Sequence, residues 1–116
     1  MKLWIDDVRP APEGYVWVKT VRKAKNLITF MEEIFSGFTY VNPTTGEVKK
    51  SKIDVIDIDH DAGDYASDGG DYIKLLDWLE ETGRNYPIHI HSMNPVGIAN
   101  MRAIIERNGW TEIKEV

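Results

Sequence analysis

The chain has 116 residues, 42% of them hydrophobic and 28% charged, with a formal net charge of −5 and no cysteine. That length suits one domain with its own core, and the composition is ordinary for a globular protein, with no call for disorder or a membrane. The lack of cysteine excludes disulfides, thiolate nucleophiles and zinc–thiolate sites, and 19 acidic against 14 basic residues argue against tracking a long nucleic-acid backbone, which needs many Lys and Arg contacts to phosphate.

The first element, KLWID (2–6), reads as a strand. It reaches acidic residues before any apolar run of signal length, which predicts a cytoplasmic protein, in a cell or a phage-infected cell. The next stretch, DVRPAPEG (7–14), holds two prolines and no helical pattern, so a helix is missing where parallel neighbours usually need a longer crossover. YVWVKT (15–20) is a second strand. Apolar residues at Ala24, Leu27, Ile28, Met31 and Ile34 then give helical spacing across 21–35. In SGFTYVNPTTGEVKKS (36–51) the turn signal NPTTGE separates two β-prone runs and predicts a protruding hairpin.

KIDVIDID (52–59) is the third strand of the main sheet, followed by an acidic, glycine-rich connector, DAGDYASDGGDY (61–72). A helix over 72–79 carries Ile73, Leu75, Leu76 and Leu79, and PIHIHS (87–92) is the fourth strand. The last helix, 96–108, has marked ends: Asn94 suits the N-cap, Pro95 the first turn and Gly109 the C-terminal stop. WTEIKEV (110–116) reads as a fifth strand. The order β-β-α-β-α-β-α-β predicts one α/β domain over 1–116 with a mostly parallel sheet.

Period two separates the faces of that sheet. One parity collects Leu3, Ile5, Val16, Val18, Ile56, Ile58, Ile88, Ile90 and Ile113, an apolar bed for the helices. The other collects Trp4, Asp6, Tyr15, Trp17, Lys19, Asp57, Asp59, His89, His91, Glu112 and Lys114. So many charges cannot lie unpaired under a helix, which places the helices mainly on one face and leaves the other polar, aromatic and accessible. Trp4, Tyr15 and Trp17 on that face suit a homodimer contact or a seat for the 36–51 hairpin, and Trp4 and Trp17 suit a stacking platform for a base.

In open parallel sheets ligands bind beyond the carboxyl ends of the strands. There the first strand delivers Asp6 and Asp7, the third Asp59, His60 and Asp61, and the fourth His91, Ser92, Met93 and Asn94. The helix start at Pro95 favours an anion such as phosphate. Asp6, Asp7 and Asp59 form an oxygen set for magnesium; the three histidines with nearby carboxylates form one for a transition metal. Arg9 lies beside the acidic pair, positioned for an anion or for a carboxylate. The connector's spacing does not match a calcium-binding helix-loop-helix.

IDD, DVIDIDHD with GGDYIKLLDWL, and PIHIHS together resemble a receiver domain of two-component signalling, a flavodoxin-like fold with strand order 2-1-3-4-5. The resemblance implies magnesium at Asp6 and Asp7, a phosphoacceptor at Asp59 and a phosphorylation-sensing hydroxyl at Ser92. The chain departs from that pattern in lacking the first and last helices and the Lys-Pro pair of the fifth strand. LWIDDVRPAP, DIDHDAGD and HIHSMNPVGIANMRAIIERNGW are similar to a divergent branch, the cyclic-phosphate-processing receiver-like domains, which are associated with RNA repair.

That resemblance implies a phosphoesterase acting on a cyclic phosphate at an RNA end or on a small nucleotide. Opening the ring needs a base, an acid and donors to the phosphate oxygens, and histidine exchanges protons near neutrality. On this reading His60 and His91 are the acid–base pair, with His89 in support and Asp59 orienting an imidazole or binding metal. Ser92, Asn94 and Arg9 hold the phosphate. The alternatives are a non-catalytic module that binds a partner or nucleotide, and phosphoacceptor signalling at Asp59.

Overall fold

The computed structural model describes residues 1–35, 40–41, 44–45, 48–49 and 53–114. Strands β1 (Lys2–Ile5), β2 (Tyr15–Val18), β5 (Val55–Ile58) and β6 (Ile88–Ile90) form one parallel sheet in the order β2-β1-β5-β6. β3 (Tyr40–Val41) and β4 (Val48–Lys49) pair antiparallel, with Tyr40 opposite Lys49 and Val41 opposite Val48. Thr44 and Thr45 lie in a turn between these two strands, and the remaining residues of the expected hairpin over 36–51 lie outside the described ones.

Five strands are expected and the main sheet has four. The segment after the last helix keeps only a parallel bridge, Ile88 to Glu112, flanked by hydrogen bonds from Ile88 N to the Thr111 carbonyl (3.0 Å) and from Ile113 N to the Ile88 carbonyl (2.7 Å). A single rung does not extend into a ladder, so the receiver-like order stops at its fourth member.

β1 and β2 run parallel without a helix between them. Their shortness permits this: a four-residue strand is about 13 Å long, and the connecting residues reach further than that when extended. The return begins at Asp6, whose Oδ1 accepts the amides of Val8 and Arg9, each at 2.9 Å, and folds the chain back at once.

Three helices follow the predicted apolar spacing. α1 (Val21–Phe35) starts at Thr20, whose Oγ1 accepts the Lys23 amide at 3.0 Å, and buries Val21, Ala24 and Ile28. α2 (Ile73–Glu81) buries Leu75, Leu76 and Leu79, and α3 (Pro95–Asn108) buries Met101, Ile104 and Ile105. These side chains share one cluster with Leu3, Ile5, Val18, Ile56, Ile58 and Ile88, so the three helices cover the predicted apolar face. Val16 departs from it: β2 is the edge strand, and Val16 is exposed there. Among the described residues no helix is long and apolar enough to cross a membrane.

Candidate active site at the strand ends

β1 and β5 pair with Ile5 opposite Ile58. The residues that leave the two strands, Asp6–Asp7 and Asp59, therefore emerge side by side, and one carboxylate oxygen from each lies within 4.8 Å of the others. Burial pushes the Asp6 carboxyl up, but the amides of Arg9 and Val8, together with His91, outweigh it and hold Asp6 below the usual range. Asp7 goes the other way: burial raises it, and the negative charges of Asp6 and Asp59 raise it further. The buried Tyr72 phenol is raised first by burial, then by Asp7, Asp6 and Asp59. Asp59 Oδ1 accepts the His60 amide at 2.7 Å. Gly63, at φ +56°, approaches Asp7 Oδ2 so closely that no Cβ would fit, which seats the acidic connector against the cluster. Three carboxylates, one held above its ordinary range by burial and by its two neighbours, are a donor set that suits a hard divalent cation.

The expected pairing of His60 with His91 is not what the strands deliver. His91 turns to the face opposite the helices. Its Nδ1 lies 2.6 Å from Asp57 Oδ1 and its Nε2 2.9 Å from Asp6 Oδ2, while the Trp4 ring stacks on it at 3.8 Å and 2°. With an acceptor against each ring nitrogen, His91 has none to offer a substrate. His89 Nδ1 shares the same Asp57 oxygen at 2.8 Å. Asp57 is only 2% exposed and Asp6 fully buried, so the face expected to be open is closed over its carboxylates by its own imidazoles and Trp4. Trp4 also meets Tyr15 edge-on at 5.9 Å, so two of the three aromatics proposed for a dimer contact are engaged within the chain.

His60 follows β5 on the helix side, with its ring packed so tightly against α3 that Gly97 has no room for a Cβ. Its Nδ1 lies 2.9 Å from Asp61 Oδ1, which leaves Nε2 as the unengaged nitrogen among the described residues. Asn94 ties this pair to the helix start: Nδ2 donates to Asp61 Oδ2 at 3.4 Å, and Oδ1 caps the Gly97 amide at 3.0 Å. Ser92 Oγ accepts the Asn94 amide at 3.1 Å. The N-terminus of α3 is therefore partly satisfied by its own cap, while the Ser92 hydroxyl proton and the second Asn94 amide proton remain as donors. Among the described residues Arg9 bridges no carboxylate; its guanidinium donates to the His91 carbonyl at 3.2 Å, and its own carbonyl accepts Trp4 Nε1 at 2.8 Å.

The family model of the cyclic-phosphate processing receiver domain matches residues 1–107, nearly the whole chain. The chain belongs to that family. No curated protein and no solved structure gave a match. In this cyclic-phosphate processing receiver domain, sequence reasoning brought the three aspartates, His60 and Asp61 to the strand ends but missed Gly97 and the contact of Asp61 with the His60 ring. Asp61 is next to His60 in the chain, and a glycine in the first turn of a helix is a usable sign that another group comes close. Which group comes close depends on the tertiary fold.

Proposed function

We propose that the chain is a phosphoesterase that opens a cyclic phosphate, at an RNA end or on a small nucleotide, at the carboxyl edge of its sheet. The observation that carries this reading is the convergence of Asp6, Asp7 and Asp59 within 4.8 Å, with His60 next in the turn after Asp59, inside the span matched by the family. Asp6, Asp7 and Asp59 would hold a divalent cation, which would offset the charge on the phosphate oxygens. Ser92, Asn94 and the positive end of α3 face the remaining phosphate oxygens, with Arg9 at the rim. Asp61 holds Nδ1 of His60, so that the lone pair sits on Nε2. That nitrogen takes a proton from the attacking water as the new P–O bond forms. One ester bond of the ring breaks, and the departing ribose oxygen is protonated from solvent. His89 and His91 support the site through Asp57 and Asp6 instead of reaching the substrate.

A purified protein given a 2′,3′-cyclic mononucleotide with magnesium or manganese is expected to yield the monoester, and His60→Gln to lower kcat by about 10²–10⁴-fold. An unchanged substrate under both metals would overturn the proposal. The saturated hydrogen bonding of His91, with His89 Nδ1 held on the same Asp57 oxygen, favours a second reading, a non-catalytic module that binds a partner or nucleotide. Under that reading ligand binding survives His60→Gln and no product forms. Phosphoacceptor signalling instead requires labelling by acetyl phosphate that disappears in Asp59→Asn.

A further inference from the structure

A groove of about 360 Å³ lies between α1 and β2, the edge strand among the described residues, lined by Val16, Trp17, Val18, Lys19, Lys23 and Leu27. The indole of Trp17 is fixed on two sides. Its Nε1 donates to the Asp6 carbonyl at 2.8 Å, and the Lys19 ammonium lies over its ring at 4.4 Å. The ring is nonetheless 36% exposed. Lys19 also lies 5.7 Å from the ring of Tyr65, 37% exposed, in the turn that starts at Gly63. Trp17 is bonded to the backbone of Asp6, and Lys19 reaches the turn whose Gly63 touches Asp7, so the groove neighbours the acidic cluster.

Two lysines beside a fixed aromatic ring form a local basic patch on a chain of net charge −5. Lys23 sits close enough to Asp68 to help lower its carboxyl, but the ion pair to Asp68 belongs to Arg22, at 2.7 Å. An aromatic plane with ammonium groups and an aliphatic floor of Val16 and Leu27 matches a base joined to a phosphate, because stacking accepts any base and the lysines supply the counter-charge. The volume lies near the lower end of the range for small-ligand pockets, which suits one nucleotide and not a run of them. That limit agrees with the acidic chain as a whole.

We infer that this groove holds the nucleotide preceding the terminal cyclic phosphate of an RNA strand, with its base on Trp17 and its phosphate at Lys23. The inference rests on the proposed phosphoesterase activity and assigns its substrate as an RNA end in preference to a free mononucleotide. Its test compares kcat/KM for a 2′,3′-cyclic mononucleotide with that for a dinucleotide ending in the same cyclic phosphate. The dinucleotide is expected to be preferred on the order of tenfold. Trp17→Ala and, separately, Lys23→Glu are expected to bring the ratio towards one. Lys23 is exposed on α1, so its variant keeps the fold, and a ratio is insensitive to partial loss of active protein. A wild-type ratio near one, or a preference that survives both variants, overturns the inference and leaves a mononucleotide enzyme. Failure to open either substrate overturns the phosphoesterase reading, and the groove assignment with it.

Discussion

Removing the imidazole of His91 would leave two carboxylates shut away from water with fewer partners. Among the described residues, Asp57 would keep His89, and Asp6 the amides of Val8 and Arg9 and its contact with Asp7. Taking one member from a buried charged pair costs roughly 3–5 kcal/mol, and the remaining partners place His91→Leu near the lower end, about 3 kcal/mol. Urea unfolding at neutral pH measures this, and a loss below about 1 kcal/mol would mean that water reaches both carboxylates. His91→Gln, which retains a donor, is expected to lose less. At this scale the sequence is informative about direction and silent about partners. Strand parity places Asp57, His89 and His91 on one face, as found. It cannot show that both imidazoles meet one oxygen, or that Trp4 stacks on His91, because those depend on rotamers chosen by neighbours on other strands.

Among the elements, α3 was legible from both ends because its boundaries are set by local chemistry. Asn94 caps the Gly97 amide, Pro95 occupies the first turn and Gly109 takes the left-handed conformation at φ +66°. The fifth strand was overread for the converse reason. β-prone residues describe a segment that fits a pleated surface, whereas a ladder also needs the neighbour's length, and here the chain meets β6 at one rung. A side-chain pair holds that rung in place: Arg102 grips Glu112 with Nε at 2.9 and 3.1 Å and a second nitrogen at 2.7 Å. Arg102 is partly exposed, so the pair contributes only about 1 kcal/mol. Arg102→Met is therefore expected to speed hydrogen exchange at the Ile113 amide about fivefold, while the His91 amide, bonded to the Ile58 carbonyl within the sheet, stays unchanged. Equal acceleration at both amides would show that the C-terminal segment and the sheet open together.

For the whole molecule, residue spacing foretold one layer of three helices on a parallel sheet, since periodicity alone decides which side chains must leave water. The charged seams that tie each helix to a neighbouring helix or loop are less visible in sequence, because their partners stand 10, 27 and 52 residues apart. Glu32 on α1 meets Arg84 at 2.9 Å and also bonds Tyr86, Glu80 on α2 meets Arg107 at 2.7 Å and Asn108 on α3, and Glu112 meets Arg102. These seams make stability depend on acid. Burial raises Glu32, but Arg84 and Tyr86 outweigh it and depress the carboxyl; Arg107 and Asn108 draw Glu80 down to about 2; Arg102 lowers Glu112. A carboxyl depressed in the folded state adds stability that is complete above its unfolded value of about 4.3 and disappears as pH falls through the folded one. Asp7 has the opposite sign: it is raised, so taking up a proton as pH falls favours the folded chain. Three depressed seams, with Asp6 and Asp68 depressed as well, against the raised Asp7 predict a urea midpoint that is level above about pH 5.5 and declines from about pH 4.5 towards pH 2. Arg84→Met together with Arg107→Met should flatten that decline, because both glutamates then titrate near their unfolded values. A midpoint that holds steady down to pH 3 in the unaltered protein would mean that the seams contribute little, and that the apolar cluster beneath the helices carries the fold almost alone.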